Sequence, residues 1–442
     1  MSLLLYDSAP ARLFTAPFRD EARAQTPRLY PVLELAAPSG TIRYAPEAVA
    51  SAVGGQASAR IMRCGSVAQA IDLSSPRLNP MELNVELADT DRQFAALHAS
   101  YRNSLRGSAA TVRVLSPAVA YQDAPVMFSG ILDSYEQSAA VWRLRLRTDD
   151  IALRNTEVPR VTINRGDWTN AHADALGQTA AINYGTHCSE NLSNKGMLPT
   201  LYVDTVGFRY VVGIGLMANV TAVYKDGVRQ TTGYAITNET RNGRTWTLVD
   251  FTADQGSAAI TVDLQGLTTD YDGTGDLITN PARQIEHFLA NFVFGAWSSG
   301  PYLTTTRIDT ASLSAVADQL DLRGCQGSLR IAGDRVRAET ILERWCQSFG
   351  VYPYWTLDGR IAFGMLDWAP PAGYPDFLIK QTDCIGELKQ PFDTSQLTRE
   401  VALKYCYDSA EDRYQFDRKA SDVTVAERVA TSLEMRDGRA AI

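Results

Sequence analysis

The sequence has few of the residues on which metal and nucleophile sites depend. Its 442 residues include only four histidines and six cysteines. The cysteines are scattered without a C-x-x-C pair, at Cys64, Cys188, Cys325, Cys346, Cys384 and Cys406. This spacing favours reduced, partly buried thiols, because free cysteine packs as a small core residue. The alternative is a metal or iron–sulfur site assembled from distant positions, with His187 beside Cys188.

Catalytic signatures are also missing from the sequence. The histidines, His98, His172, His187 and His287, form no H-x-x-x-H or H-E-x-x-H spacing. The sequence contains no Walker-type phosphate loop, no G-x-G-x-x-G after a strand and no nucleophile elbow. We therefore predict no catalytic, cofactor-binding or metal-binding residues, no bound cofactor, and a protein that is not an enzyme.

Long runs of one charge and long apolar runs are absent. The formal net charge is −8, and acidic and basic residues are mixed along the chain. This pattern argues against sequence-specific or phosphate-neutralising binding of nucleic acid. No apolar run approaches the roughly 20 residues needed to cross a bilayer. The first 14 residues have an apolar core too short for a signal peptide and no basic segment before it. We expect assembly in a cytoplasm and no stable membrane insertion.

Three amphipathic helices followed by a hairpin stand out between residues 276 and 364. Asn280 can cap the first helix, and Pro281 suits its first turn. Asp334 can cap the third, and Asp358-Gly359 is a strong hairpin turn. The apolar stripes that predict the three helices are Ile285, Phe288, Leu289, Phe292 and Val293, then Leu313, Val316, Ala317 and Leu320, then Ala338, Ile341, Leu342, Trp345 and Phe349. The pattern predicts a scaffold module.

The regions before and after this module have β patterns. Met81, Leu83, Val85 and Leu87 alternate with polar residues, as in a half-buried strand. Further strands are predicted up to Thr148, with a short helix around Phe94. Three arginines alternate with apolar residues on the last of these strands, at Arg143, Arg145 and Arg147. They form either a solvated strand face or a charged surface that faces a neighbouring subunit or a lumen.

Two hairpin signals indicate a small β-sandwich in the middle of the chain. Asp226-Gly227 and Asn242-Gly243 each separate strand-length runs. A connector from Leu267 to Asn280, which contains DYDGTGD, then leads into the helical module. It fails the calcium-loop pattern, because position 12 is Pro281, which cannot supply the bidentate carboxylate. A solvated turn between domains is the favoured interpretation, and a calcium site is the alternative.

These patterns predict an α+β, mainly β fold. Residues 1–27 form an N-terminal extension, 28–150 a β-domain, 151–266 the β-sandwich, 267–374 the three-helix module with its hairpin, and 375–442 a second, short β-domain. In this last domain we predict a strand that alternates from Val401 to Tyr407 and a helix from Val423 to Leu433. So few strands need a partner to be stable.

A cluster of aromatic residues after the third helix is the best candidate for an interface. Its members are Tyr352, Tyr354, Trp355, Trp368 and Tyr374. Aromatic residues are enriched at protein interfaces, because each covers much area at little entropic cost. Packing within the module itself and carbohydrate binding are the alternatives.

Four segments together resemble the baseplate hub or tail-tip hub proteins of long-tailed, siphophage-type bacteriophages. The first region contributes LELAAPSGTIRY, MELNVELAD and MFSGILDSYE, and the junction contributes VPRVTINRGDWTNAHADALGQTAAINYG. The sandwich contributes VTAVYKDGV and ITVDLQG. The module contributes NPARQIEHFLANFVFG and ILERWCQSFGVYPYWTLDGRIAFG, followed by VALKYCYD. The matches span about residues 28 to 430, and their order carries the resemblance.

The resemblance implies that the two outer β-regions are tube-like β-barrel domains, with the sandwich and the helical module inserted between them. It further implies a homotrimer that joins the sixfold tail tube to a threefold tip and lines the DNA exit channel. The implied partners are the distal tail ring protein, the tail tube, the tape-measure protein and tip or fibre proteins. The implied location is the tail tip of the virion, after assembly in the host cytoplasm.

One departure from the family concerns the second barrel. Family members continue past the VALKYCYD-like strand through a helix and several more strands, whereas this sequence ends at Ile442. A partner chain completes the barrel, the barrel is reduced here, or the sequence is truncated. The alternative functions are a receptor- or carbohydrate-binding tail protein and a tail-associated enzyme that degrades cell wall.

Overall fold

The computed structural model describes the chain in segments. Backbone and side chains are described for residues 29–46, 57–69, 76–101, 104–116, 120–190, 194–269, 275–295 and 306–365. For residues 400–408, 413–421 and 430–434 only the backbone is described. Strands build several sheets and outnumber the helices in these segments, so the predicted mainly β class is confirmed.

Eight strands between residues 30 and 147 form one sheet. They are β1 Tyr30–Ala37, β2 Gly40–Ala45, β3 Ala57–Ala59, β4 Ile61–Cys64, β5 Glu82–Ala88, β6 Ala109–Leu115, β7 Val126–Ser138 and β8 Val141–Arg147. Their order across the sheet is β3-β2-β1-β6-β7-β8-β5-β4. All neighbours are antiparallel except β2 and β3. The strand predicted from the alternation at residues 81–87 is present as β5.

The two edges of this sheet meet at one residue. Among the described residues no strand ladder closes the sheet into the barrel that the resemblance implies. The edge strands β3 and β4 are nevertheless consecutive, and only Arg60 separates them. The Arg60 N–H donates to the Ala45 carbonyl at one edge (2.9 Å), and its carbonyl accepts from Ala88 N–H at the other (2.8 Å). One chain segment therefore crosses from edge to edge.

The sheet has an apolar and a polar face, because successive side chains of a strand alternate. Helix α1, Gln93–Tyr101, lies on the apolar face. Its Phe94 is fully buried, with ring centroids 5.0 Å from Trp142 and 6.2 Å from both Tyr44 and Tyr135. Burying such aromatic rings contributes about 1.5–3 kcal/mol each, so this contact anchors the helix.

The second region follows a short helix α2, Ile151–Asn155, and contains two antiparallel sheets. Its strands are β9 Glu157–Val158, β10 Ile182–Tyr184, β11 Thr186–His187, β12 Leu198–Pro199, β13 Leu201–Asp204, β14 Arg209–Ile214, β15 Met217–Lys225, β16 Val228–Gln230, β17 Tyr234–Arg241, β18 Arg244–Phe251 and β19 Ile260–Leu267. One sheet has the order β11-β19-β15-β16, and β12 also pairs with β19. The other sheet has the order β13-β14-β18-β17.

Both predicted hairpin turns of this region are present. Asp226 and Gly227 have φ angles of 50° and 77°, and Asn242 and Gly243 have 48° and 71°. Positive φ at both central residues is the geometry that suits the right-handed twist of a two-residue hairpin. The turns join β15 to β16 and β17 to β18.

The helical module contains the three predicted helices, with one start displaced. Asn280 caps α3, Pro281–His287, by accepting from Ala282 N–H at 2.9 Å, and a fully buried π-helical turn continues it over Phe288–Val293. Helix α4 covers Thr310–Leu322 and α5 covers Ala338–Phe349. The prediction that Asp334 caps the third helix is wrong, because β21, Val336–Arg337, pairs with β9 first and delays the helix to Ala338.

Strand pairing ties the module to the second region. β20, Leu329–Ile331, pairs with β10, and β21 pairs with β9. Gly185 lies at this junction with φ +70°, and a Cβ there would stand 2.0 Å from the Gly327 carbonyl oxygen. Only glycine permits this backbone approach. The predicted hairpin completes the module as β22, Val351–Trp355, and β23, Ile361–Met365.

Three strands are described near the end of the chain: β24 Glu400–Asp408, β25 Arg413–Ser421 and β26 Ala430–Glu434. β24 lies between the other two, antiparallel to β25 and parallel to β26. The helix predicted up to Leu433 is therefore wrong over residues 430–433, because pairing with β24 makes this segment extended. Its earlier part, residues 423–429, lies outside the described residues.

Candidate interaction surfaces

The arginines of β8 lie on the polar face of the eight-stranded sheet, where each has a carboxylate partner. Arg143 pairs with Glu86 at 3.2 Å and with Glu136 at 3.6 Å. Arg145 pairs with Glu82 at 2.5 Å. Cross-strand neighbours on one face come close enough for such pairs. Of the two readings of the arginine pattern, a solvated strand face describes Arg143 and Arg145, which are about half exposed.

The same polar face continues across β1, β2 and β6. Glu34 accepts from Arg43 at 2.7 Å, and Arg113 lies 3.7 Å from its second carboxylate oxygen. Burial opposes ionisation of Glu34, but the hydrogen bond and charge of Arg43 and the charge of Arg113 outweigh it and hold the pKa of Glu34 below its ordinary value. Both guanidinium groups also lie over the Tyr121 ring, at 5.2 and 5.9 Å from its centroid.

The arginines of the polar face are thus paired with carboxylates. Five arginines, Arg43, Arg113, Arg143, Arg145 and Arg147, face five carboxylates, Glu34, Glu82, Glu86, Glu136 and Asp150. We call this set the arginine face. Nucleic acid binds where lysines and arginines exchange their counterions for phosphates, and arginines already neutralised by carboxylates gain less from that exchange. The arginine face is therefore polar without being an anion-binding patch.

The module hairpin covers one end of the arginine face. A Cβ at Gly359, in the turn between β22 and β23, would stand 2.8 Å from the Ser129 carbonyl oxygen on β7. Arg307 also pairs with Asp149 at 2.9 Å, and Arg77 with Glu343 at 2.8 Å. These contacts fasten the first region to the module and leave the end around Arg143 open.

The predicted interface aromatics do not all remain at the surface. Trp355 is buried at 4% exposure, whereas Tyr352 and Tyr354 are partly exposed, with ring centroids 6.2 Å apart. Tyr352 packs against Gly364 on the facing strand, and burial raises the pKa of its phenol. Trp368 and Tyr374 lie outside the described residues. The interface prediction consequently concerns Tyr352 and Tyr354 within the described part of the chain.

Both edges of the aromatic hairpin are occupied by other parts of the chain. With its amide oriented to satisfy both groups, Gln69 accepts from Trp355 N–H at 2.8 Å and donates to its carbonyl at 3.2 Å. At the other edge Ile361 N–H donates to the Arg307 carbonyl (2.8 Å), and Asp309 N–H donates to the Ile361 carbonyl (2.8 Å). The hairpin is therefore not open to strand addition at these positions.

Two histidines of the described part of the chain contact Tyr184. His287 is buried at 1% exposure, its Nδ1 lies 2.8 Å from the Tyr184 hydroxyl, and burial lowers its pKa to about 4. His187 Nε2 lies 3.1 Å from the Tyr184 carbonyl. Cys64, Cys188, Cys325 and Cys346 are free thiols. The described residues hold no group of three or more histidine, cysteine or acidic side chains arranged for a metal. Residues 270–274 of the connector lie outside them.

Sequence reasoning missed a buried polar cluster at the junction of the sheet edges. Asp89, at 3% exposure, accepts from Phe94 N–H (2.8 Å), Ala95 N–H (2.9 Å), Trp142 Nε1–H (3.0 Å) and Arg60 Nη1–H (3.3 Å). The only local signal is an aspartate just before a helix. Its two side-chain partners, Arg60 and Trp142, lie 29 and 53 residues away and could not be read from the sequence.

A row of aromatic rings crosses the sheet β13-β14-β18-β17 and was also missed. His172 stacks on Tyr202 with centroids 5.7 Å apart, Tyr202 stacks on Tyr210 at 4.4 Å, and Tyr210 meets the edge of Phe251 at 5.6 Å. Both faces of Tyr202 are therefore covered by neighbouring rings. A sugar ring needs an open aromatic face, so this row does not favour the carbohydrate-binding alternative.

None of the helices in the described residues has the length and apolar character that crossing a membrane requires. No protein-family model matches the sequence, and no curated protein matches it.

The solved structures to which this chain has a low similarity include the following three. The first, the virion of a native gene transfer agent particle, is 15% identical, with a TM-score of 0.28, covering 57% of this chain and 85% of that chain. A tail protein from Neisseria meningitidis MC58 is 9% identical, with a TM-score of 0.32, covering 91% and 71%. The 43 kDa tail protein of prophage MuSo2 from Shewanella oneidensis is 9% identical, with a TM-score of 0.30, covering 92% and 72%. Identities and TM-scores this low carry no argument about the function of this chain.

Proposed function

We propose that this chain is a non-enzymatic structural component of a bacteriophage tail. In this proposal three copies form a hub at the tail tip, join the sixfold tail tube to the threefold tip and border the DNA exit channel. The neighbours of the hub are the distal tail ring, the tail tube, the tape-measure protein and tip or fibre proteins. The order of the four sequence segments that resemble tail hubs motivates the proposal.

The arginine face is the observation that carries the proposal. A wall along which DNA passes must be polar enough to stay hydrated, yet must not retain phosphates. Each arginine of the face is matched by a carboxylate, and Arg143 and Arg145 remain open to solvent. The contacts of Ser129 with the module hairpin support a role for the module as a brace at the other end of this face.

The decisive experiment is electron cryomicroscopy of the assembled particle. We expect three copies of this chain on the tail axis, below the last sixfold ring. Six copies that contact only the tube, or copies that lie away from the axis, would contradict the proposal. A chain that is monomeric in solution does not test it, because assembly can require the neighbouring ring.

A binding experiment tests the role of charge balance separately. The triple variant Glu82→Gln, Glu86→Gln and Glu136→Gln leaves Arg143 and Arg145 without their carboxylates. We expect this variant to bind double-stranded DNA in a salt-dependent manner that the unchanged chain does not show. The matched control replaces Asp174, Asp226 and Asp254, three acidic residues on the second region, by asparagine. Equal DNA binding by both triple variants would mean that the arginine face has no special part in it.

A further inference from the structure

Arg330, in the middle of β20, has a guanidinium group without a negative partner among the described residues. Its Nη2 donates to the Pro199 carbonyl on β12 at 3.1 Å, in a bond that lies at the surface. Its Nη1 is buried and has no hydrogen-bond acceptor. In the described part of the chain no carboxylate lies within ion-pair distance of Arg330, and burial lowers its pKa to about 10.

Four other arginines that have a buried guanidinium nitrogen show how unusual this is. A nitrogen without an acceptor is also found on Arg60, Arg147, Arg154 and Arg209. Each of these four has a carboxylate within ion-pair distance of its guanidinium, from Asp89, Asp150 or Glu239. A buried charge without a counter-ion is costly, since its hydration is lost and nothing replaces it. Arg330 differs from the other four in lacking that counter-ion.

The residue opposite Arg330 does not supply the missing charge. Asn183 pairs with Arg330 across β10 and β20, so both side chains leave the same face of this two-stranded sheet. Asn183 Nδ2 donates to the Val212 carbonyl at 3.3 Å, and its Oδ1 has no donor. A neutral amide oxygen can accept a hydrogen bond from Arg330 but cannot balance its charge.

We propose that the Arg330 guanidinium binds a small monovalent anion, chloride or a small carboxylate, between β20 and β12. Arginine suits this task because its planar donors remain charged at all physiological pH values. The anion would complete the junction between the second region and the module, where β10 and β20 meet. This site is independent of the arginine face and of the proposed tail function.

Thermal unfolding of the full chain provides the first test. The ionic strength is held constant with a bulky anion, gluconate, which is replaced stepwise by chloride in one series and by acetate in another. We expect the midpoint to rise with at least one small anion, because a ligand that binds only the folded state stabilises it. The rise should be lost in Arg330→Met and kept in the exposed control Arg335→Met. The proposal would be overturned if the midpoint of thermal unfolding changed with neither anion, or if its rise persisted in Arg330→Met.

A second measurement uses the unchanged chain, in case Arg330→Met does not fold. Crystals soaked in bromide should show an anomalous scattering peak at hydrogen-bond distance from the Arg330 guanidinium. A structure in which only water or Asn183 Oδ1 accepts from Nη1 would refute the site.

Discussion

Replacing Asp89 by alanine tests the account of how the first sheet is held together. The Asp89 carboxylate is almost fully buried and accepts hydrogen bonds from two amides of the first turn of α1, from Trp142 and from Arg60. Its removal leaves the amides uncapped and the indole N–H without its acceptor. Arg60, at 8% exposure, keeps the Asp91 carboxylate and the Ala88 carbonyl as partners.

The expected cost follows from these four contacts. Breaking a buried ion pair by removing one partner costs about 3–5 kcal/mol, and the remaining Asp91 pair reduces this. Loss of the helix cap adds about 1 kcal/mol. We therefore expect Asp89→Ala to lower the free energy of unfolding by about 4 kcal/mol. Asp89→Asn keeps one acceptor oxygen, which serves one of the two amides, but it removes the charge and the second acceptor. We therefore expect a smaller loss than for alanine, about 2–3 kcal/mol.

Urea unfolding, followed by tryptophan fluorescence, measures the change for both variants. Amide hydrogen exchange of residues 93–101 shows whether the loss is local to α1, because amides exchange faster where a helix opens more often. The double variant Arg60→Met with Asp89→Ala should lower the free energy of unfolding by less than the sum of the two single variants. A loss below about 1 kcal/mol for Asp89→Ala would refute the reasoning. Equal losses for alanine and asparagine would assign the whole effect to charge.

Three further predictions concern other parts of the chain. Because burial lowers the pKa of His287 to about 4 from an ordinary 6.5, the unfolded chain binds its proton first as the pH falls. Unfolding titrations should then show a loss of about 2 kcal/mol between pH 7 and pH 5, and this loss should disappear in His287→Gln. Gly185→Ala should lower the free energy of unfolding, measured by thermal unfolding, by more than about 3 kcal/mol, because the new Cβ meets the Gly327 carbonyl oxygen. The control Gly177→Ala has open space around its Cβ at φ +82° and should lower it by about 1 kcal/mol. Gln69→Ala removes both amide contacts with Trp355, so it should lower the free energy of unfolding by about 1–3 kcal/mol and speed hydrogen exchange at Trp355. The exposed control Gln347→Ala should change neither the free energy of unfolding nor this exchange rate.

Local patterns in the sequence were sufficient for the hairpins and for the start of one helix. Asp226-Gly227 and Asn242-Gly243 form two-residue turns with positive φ angles, as these residue types predict. Asn280 caps α3 as its position before Pro281 predicts. These features depend on residues within one turn of each other, so the tertiary structure had little to add.

Where a distant strand competes for the backbone, local signals gave the wrong answer. Asp334 is a good capping residue, yet pairing of β21 with β9 keeps the chain extended until Ala338. Residues 430–433 look helical in the sequence, but they pair with β24. Hydrogen bonds to a strand far away in sequence outweighed the local preference in both places.

The sequence by itself determined the mainly β class, the alternating strands, the order of the segments and the absence of catalytic motifs, because these follow from residue type and short-range periodicity. Only the tertiary structure decided which carboxylate neutralises each arginine of the arginine face, that Arg60 joins both edges of one sheet, and that Arg330 is left without a counter-ion. Charge pairing acts between side chains through space, and the partners here stand up to 79 residues apart, from Glu34 to Arg113. Their separation along the chain leaves no local pattern from which such pairs can be read.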